Sequence, residues 1–211
     1  MDQYCHYISS IDHNDELKSN GSVFFVEHNN ETFLLTAAHT LRRYNDFIFP
    51  DFSNWHANSI TLDDKHIPLY NVKKNQRIPL FVCFDKDDKE LLDVVALPFK
   101  RNGGPVDLTP TVGEAIKLCG WRRDPNPKKY ILDGTIVDIT GWDITIELSK
   151  HRGMQRSGIS GGGIYTERGF IGVYYADDIG KDTAHAVSVD YILKNMAGPD
   201  GFEPPTASFE D

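Results

Sequence analysis

The chain has 211 residues, 40% hydrophobic and 25% charged, a balance typical of folded rather than disordered proteins. Its net charge of −9 argues against broad nucleic-acid binding, which needs a basic surface. Apolar runs are too short to cross a bilayer and none follows Met1, so we expect neither a membrane span nor a signal peptide. Three cysteines that match no zinc site indicate a reducing, cytoplasmic location, and we expect no metal or cofactor.

Strand patterns dominate the first half of the chain. Two apolar runs, 21–27 and 31–38, flank Asn29 and Asn30, which predicts a β-hairpin with a short turn. Further strands are predicted at 59–62, 78–84 and 91–99. The segment 101–110 then interrupts the pattern with two glycines and two prolines, and we interpret it as the connection between two lobes.

The second half repeats this character. Strands are predicted at 114–121, 130–140, 142–148, 162–166, 170–175 and 184–189, and one or two helical turns at 191–196. About six short strands in each half, without alternating helices, predict an all-β fold of two six-stranded antiparallel barrels. We assign the N-terminal barrel lobe to 1–105, the C-terminal barrel lobe to 106–196, and a flexible, proline-rich acidic tail to 197–211.

The most informative motif is a serine between glycines, Ser160 within the sequence GISGGG that starts at Gly158. A catalytic serine needs a sharp turn that exposes its hydroxyl and leaves neighbouring backbone N–H groups facing an oxyanion. Glycines tolerate the backbone angles of such a turn. By itself the motif is more often an ordinary loop, so its interpretation depends on partner residues elsewhere in the chain.

A candidate general base is His39, which directly follows the apolar run LLTAA. A general base must reach its nucleophile from a rigid element, and imidazole has a suitable pKa for this task. The alternative is a core or surface histidine that happens to end a strand. The small alanines before His39 and the glycine-flanked serine favour the catalytic interpretation.

A candidate orienting carboxylate is Asp93, which lies in the apolar run LLDVVAL. A buried carboxylate is unfavourable unless it is paired, so Asp93 needs a hydrogen-bond donor, and His39 can supply one. The alternative is that Asp93 merely ends a solvated acidic loop. Asp93 is preferred because only this residue of the acidic group adjoins the long apolar run.

Together these motifs, TAAH, DVVAL and GISGG in the order His, Asp, Ser, resemble those of the chymotrypsin-like (trypsin-like) serine peptidases, especially compact bacterial and viral members. The resemblance extends over residues 21–194. It implies two β-barrels with the active site between them. It also implies that Ser160 is the nucleophile, His39 the general base and Asp93 the orienting carboxylate, with the N–H groups of Gly158 and Ser160 forming the oxyanion hole.

The resemblance also implies substrate-binding residues. Met154 would lie at the floor of the main specificity pocket, and Tyr174, Tyr175 and Ala176 would pair with the substrate by β-strand addition. The side-chain preference stays open. Nearby charges of both signs could select an acidic or a basic substrate residue, or could simply be solvated: Arg152, Arg156, Asp177 and Asp178.

Two positions depart from the secreted members of that family. Thr40 stands where they have a cysteine that forms a disulfide, and Ile159 stands where they often have an aspartate that binds a newly cleaved N-terminus. We therefore expect no activation by N-terminal cleavage, and expect an enzyme that is made ready or is switched by a partner protein.

The sequence thus predicts a serine endopeptidase that acts through an acyl-enzyme on a specific intracellular protein target. Its partners would be a protein or peptide substrate and a regulatory protein, without nucleic acid or membrane. The alternative is a catalytically silent peptidase-fold module that binds peptides or partner proteins. An esterase of the α/β-hydrolase type is disfavoured because that fold places its serine before the acid and the histidine.

Overall fold

The structure is a computed structural model that describes residues 1–11, 17–41, 59–71, 76–77, 81–84, 91–122, 126–149, 159–178 and 181–197. Short 3₁₀ turns lie at Asp2–Tyr4 and Ala38–Thr40, and helix α1 spans Val189–Asn195. The strands are β1 Cys5–Ile11, β2 Leu17–His28, β3 Glu31–Thr36, β4 Ser59–Leu62, β5 Lys65–Pro68, β6 Tyr70–Asn71, β7 Gln76–Arg77, β8 Phe81–Phe84, β9 Leu91–Pro98, β10 Gly104–Pro105, β11 Ala115–Arg122, β12 Lys128–Thr140, β13 Asp143–Leu148, β14 Gly163–Tyr165, β15 Phe170–Asp177, β16 Thr183–Ser188 and β17 Met196–Ala197.

The N-terminal half forms a strongly curled half-barrel sheet. Its order is β17-β8-β9-β3-β2-β1-β4-β5, with the short β10 beside β2. This sheet takes the place of the first predicted barrel, and within the described residues it is open, with β5 and β17 at its two edges. Ala197, assigned to the tail from the sequence, pairs with Val82 in this sheet. Residues 198–211 of the predicted tail lie outside the described residues.

The predicted hairpin at Asn29 and Asn30 is confirmed. Strands β2 and β3 pair antiparallel up to His28 and Glu31, so the two asparagines alone form the turn. Both have positive φ values, 52° and 65°, a conformation that asparagine tolerates better than most residues and that matches strand twist in two-residue turns. The turn therefore sets the register that carries β3 towards His39.

The C-terminal half forms the predicted closed barrel, with the strand order β11-β12-β13-β16-β15-β14. Alternate residues of β11 and β13 face its interior, as the period of two along a strand requires. The interior is filled by aliphatic side chains, among them Leu118, Ile136, Ile144, Ile146 and Ile164. This barrel is the rigid support on which Ser160 is mounted.

A second apolar cluster joins the curled sheet to the barrel. Phe24 of β2 stacks on Phe170 of β15 with ring centroids 4.6 Å apart, and both side chains are fully buried. Burial of one such side chain contributes about 1.5–3 kcal/mol. Gly163 borders the same pair, since a Cβ there would lie 2.6 Å from the Phe170 ring and 2.9 Å from the Phe24 ring. The two sheets are therefore packed directly together beside the serine turn.

All three cysteines lie in described segments, where they are buried and form no disulfide: Cys5, Cys83 and Cys119. In the described part of the chain, helices are too short or too polar to cross a membrane. Within the same residues, His, Cys, Asp and Glu side chains form no group of three that could hold a metal ion.

Candidate active site

His39 lies just beyond the end of strand β3, where the chain turns sharply. Ala37 is still extended, and the chain then turns through a 3₁₀ turn at Ala38–Thr40. Ala37 and Ala38 are buried, with exposures of 0% and 3%, and their small side chains let this turn pack closely against the sheet. The Thr40 hydroxyl donates to the carbonyl of Ala37 at 2.7 Å and lies 3.0 Å from the hydroxyl of Thr36. These contacts fix the backbone that carries His39.

The structure brings His39 and Asp93 together through two hydrogen bonds. Nδ1 of His39 lies 2.5 Å from Oδ2 of Asp93, and the backbone N–H of His39 donates to Oδ1 at 2.8 Å. Because an ionised carboxylate only accepts hydrogen bonds, Nδ1 carries the proton in this contact. In a neutral imidazole Nε2 is then left as the proton acceptor. The carboxylate therefore sets both the ring orientation and the tautomer of His39.

Ser160 lies in a tight turn between a buried isoleucine and three glycines. Its carbonyl accepts a hydrogen bond from the backbone N–H of Ser22 at 2.8 Å. The next residue, Gly161, has φ +81°, and a Cβ there would overlap the carbonyl of Ser22 and the hydroxyl of Thr36. The serine turn is thus packed directly against β2 and against the end of β3, the strand that leads to His39.

The N–H groups that follow Ser160 are used within the fold. Gly161 donates to the carbonyl of Tyr174 at 2.9 Å, and Gly162 donates to the carbonyl of Ile159 at 2.9 Å. Neither group is therefore open to an oxyanion. The oxyanion hole predicted from the sequence uses the N–H groups of Ser160 and Gly158, and Gly158 lies outside the described residues.

The predicted substrate-pairing residues lie beside this turn on β15. Tyr174 is buried in the barrel, with 2% exposure, and its N–H donates to the carbonyl of Gly162 at 2.9 Å. Strand β14 pairs with β15 only as far as Val173. Tyr175 and Ala176 therefore follow at a part of β15 that β14 does not cover. Met154, predicted at the pocket floor, lies outside the described residues, as do Arg152 and Arg156.

The side chain of Tyr175 belongs to a polar cluster that sequence reasoning missed. Its hydroxyl donates to Oδ1 of Asp143 at 3.1 Å, and Oδ2 of the same carboxylate lies 3.0 Å from Nδ1 of His185. Burial raises the pKa of Tyr175 well above its usual value, and the negative charges of Asp143 and Asp93 add to this effect. The phenol is thus kept protonated as a hydrogen-bond donor near the predicted catalytic carboxylate.

The two departures noted in the sequence have structural explanations. Ile159 is fully buried in the barrel interior and touches Gly120, where a Cβ would lie 2.5 Å from the Ile159 methyl group. An aspartate there would be buried among aliphatic side chains. The Thr40 methyl group fills the space beside Gly21, because a Cβ on Gly21 would lie 2.5 Å from that methyl group. Small and apolar packing therefore occupies both positions.

Ser22 is a further residue that sequence reasoning missed. Its side chain is buried. Its N–H donates to Ser160, its Oγ accepts from the backbone N–H of Trp121 at 2.7 Å, and its carbonyl accepts from the hydroxyl of Thr36 at 2.7 Å. One residue thus connects the serine turn, the barrel and the strand that leads to His39. The available signal was a small polar residue that follows Gly21 at the start of an apolar run.

Comparison with known proteins gives a consistent result for the fold. No family model and no curated protein matches the sequence. Among solved structures, the Rv3671c protease of M. tuberculosis in its active form superposes with a TM-score of 0.55 at 13% identity, covering 91% of this chain and 78% of that one. Kallikrein-related peptidase 10 superposes with a TM-score of 0.58 at 14% identity, covering 89% and 91%. The fold is that of the chymotrypsin-like serine proteases.

A viral structure also shares this chymotrypsin-like fold. It comes from work on the Sesbania mosaic virus VPg protein and superposes with a TM-score of 0.56 at 15% identity, covering 90% of this chain and 94% of that one. The predicted fold class is thereby confirmed over about nine-tenths of the chain. At these identities the likeness concerns the fold alone, so the chemistry of this chymotrypsin-like chain must be argued from its own residues.

Proposed function

We propose that this protein is a serine endopeptidase that hydrolyses peptide bonds through a Ser-His-Asp triad and an acyl-enzyme. The observation that carries the proposal is the double hydrogen bond between His39 and Asp93, which leaves Nε2 as the acceptor. The contacts of Ser160 and Gly161 with β2 and with the end of β3 support it further. The fold, shared with known proteases, adds a scaffold suited to peptide substrates.

The proposed mechanism assigns one step to each group. Ser160 Oγ attacks the scissile carbonyl carbon, and its proton passes to Nε2 of His39. Asp93 stabilises the imidazolium that results, and the backbone N–H of Ser160 donates to the oxyanion. The C–N bond then breaks as His39 returns the proton to the leaving amine. Water, deprotonated by His39, hydrolyses the acyl-enzyme and restores the Ser160 hydroxyl.

Covalent labelling with a fluorophosphonate probe tests this proposal. We expect the wild type to be labelled and Ser160→Ala not to be. A matched control is Ser149→Ala, which removes an exposed hydroxyl elsewhere on the barrel and should leave labelling unchanged. Labelling that persists in Ser160→Ala would refute the assigned nucleophile. A folded wild type that is never labelled would favour the silent peptide-binding module instead.

We further propose that the enzyme needs no N-terminal cleavage and acts inside the cell on a specific protein. The burial of Ile159 supports the first part, since the residue before Ser160 offers no carboxylate to a new N-terminus. The three buried cysteines, which form no disulfide, support a reducing location. The purified, uncleaved 211-residue chain should therefore be labelled without protease treatment. Labelling that appears only after cleavage near the N-terminus would contradict this proposal.

A further inference from the structure

The serine turn lies between two strands of the barrel. On one side Gly161 donates to Tyr174 of β15. On the other side Gly162 touches β11, where a Cβ on Gly162 would lie 2.6 Å from the carbonyl of Cys119 and 3.3 Å from Cα of Gly120. We expect a peptide that crosses Ser160 from the open part of β15 to leave over the end of β11, on the opposite side of the turn.

The direction of such a peptide follows from the sheet. Both neighbours of β15, namely β14 and β16, are antiparallel to it. A peptide added in the same sense runs from Asp177 towards Tyr174, and so towards Ser160. Its part N-terminal to the scissile bond then lies on β15. Its part C-terminal to that bond lies over the end of β11 and its partner β12.

Basic side chains lie at this end, held against aromatic rings. The amino group of Lys129 is 5.3 Å from the ring centroid of Trp121, which is its direct partner across the β11–β12 ladder. Lys128 and Arg122 lie 5.6 and 5.9 Å from the ring centroid of Tyr130. Successive residues of a strand face opposite sides, so Arg122, Lys128 and Tyr130 share the face on which a Cβ at Gly120 would meet Ile159, whereas Trp121 and Lys129 face the other side. We call Arg122, Lys128 and Tyr130 the basic strip. Cation–π contacts hold these charges in place with a stabilisation of about 0.5–1 kcal/mol each.

Trp121, the residue before the basic strip, is connected to the serine turn by two hydrogen bonds. Trp121 N–H donates to Oγ of Ser22 at 2.7 Å, and Ser22 N–H donates to the carbonyl of Ser160 at 2.8 Å. Lys128 is exposed, whereas Lys129 is half-buried and uses one of its three donors on the carbonyl of Asp2 at 2.8 Å. Arg122 and Lys128 thus place two positive charges on the hairpin face that, at Gly120, meets the serine turn, in a chain whose net charge is −9.

We propose that the basic strip is a specificity-determining surface that binds aspartate or glutamate side chains of the substrate protein, at about the second to fourth residue after the scissile bond. This rests on the proposed endopeptidase function. An extended chain advances about 3.3 Å per residue, so two to four residues carry it from Gly120, which contacts the serine turn, past Arg122. Carboxylates there would meet fixed cations and the substrate would be selected by charge on its C-terminal side.

Cleavage-site profiling on a mixed peptide library tests this inference. The informative variant is Arg122→Glu with Lys128→Glu. The control is Lys65→Glu with Lys194→Glu, which makes the same change of charge at exposed lysines of β5 and α1. In low salt we expect acidic residues to be enriched after the wild-type cleavage site. For an acidic peptide, kcat/KM should fall about tenfold in the strip variant and little in the control.

Fluorophosphonate labelling separates the possible failures, because a small probe does not reach the strip. Normal labelling, with acidic enrichment in the wild type that is lost or inverted in the strip variant, supports the inference. Normal labelling without enrichment, or with enrichment unchanged in the strip variant, overturns it and leaves the endopeptidase proposal intact. A wild type that is neither labelled nor active on the library overturns the proposed function, and this inference with it.

Discussion

Gly161 is the residue of the serine turn that lies against Thr36 and Ala37, at the end of the strand leading to His39. In Gly161→Ala the new methyl group would overlap Ser22 O and Thr36 Oγ1, and would lie 3.0 Å from the backbone nitrogen of Ala37. Restoring ordinary contacts of about 3.5 Å requires the turn to move by about 1 Å relative to β3. A misplacement of about 1 Å costs roughly 10²-fold in rate, or about 2.7 kcal/mol in the activation barrier.

The matched control is Gly113→Ala. Gly113 has φ +89°, close to the +81° of Gly161, but a Cβ there has nothing within 4 Å. It therefore isolates the backbone penalty of about 1–2 kcal/mol, which lowers Tm by about 2–8 °C in a chain of this size. Fluorophosphonate labelling rates and thermal melts are the assays. We expect Gly161→Ala below one-hundredth of the wild-type rate and Gly113→Ala within about twofold. A Gly161→Ala rate within threefold of wild type would refute the reasoning.

Four further outcomes are expected. Asp93→Asn should slow labelling by about 10³–10⁴-fold at unchanged Tm, because an amide donor facing Nδ1 favours the wrong tautomer of His39. Ile159→Asp should destabilise the fold by about 3 kcal/mol or more in urea unfolding, against about 1 kcal/mol for Ile159→Val. Burial opposes ionisation of Asp107, yet the backbone N–H, hydroxyl and guanidinium groups that donate to its carboxylate hold its pKa below the usual value. The ionised carboxylate therefore stabilises the fold above about pH 4, and this stabilisation is lost on further acidification. Tm measurements on Asp107→Asn should lack this loss of stability. Burial raises the pKa of Cys5, so its thiol should react with a disulfide reagent only on unfolding.

Much of the fold could be predicted because its signals are local. The hairpin at Asn29 and Asn30 needs only two residues that tolerate positive φ between two apolar runs. The barrel strands alternate clearly between interior and exterior positions, as in β13. The sequence pattern does not predict strand β1, because the polar Ser10 is buried at 2% exposure. A serine at a core position breaks the alternation of apolar and polar residues that marks a strand.

The candidate site likewise has a part that local sequence patterns predict and a part that they do not. His39, Asp93 and Ser160 could be selected because each adjoins a distinctive local pattern. Their supporting contacts could not, because they join residues far apart in the sequence: Ser22 bonds to Trp121, and Tyr175 shares Asp143 with His185. Such pairings depend on which strands become neighbours. The openness of the first sheet is also a long-range property, which strand counting alone does not fix.

The placement of Ser22 bears on how a partner protein would switch the proposed enzyme. His39 and Ser160 come from different sheets, and three hydrogen bonds of Ser22 help to align them. Each such bond contributes about 0.5–1.5 kcal/mol net. A partner protein therefore needs a difference in affinity of only about 3 kcal/mol between two arrangements of the serine turn to shift their populations more than 100-fold.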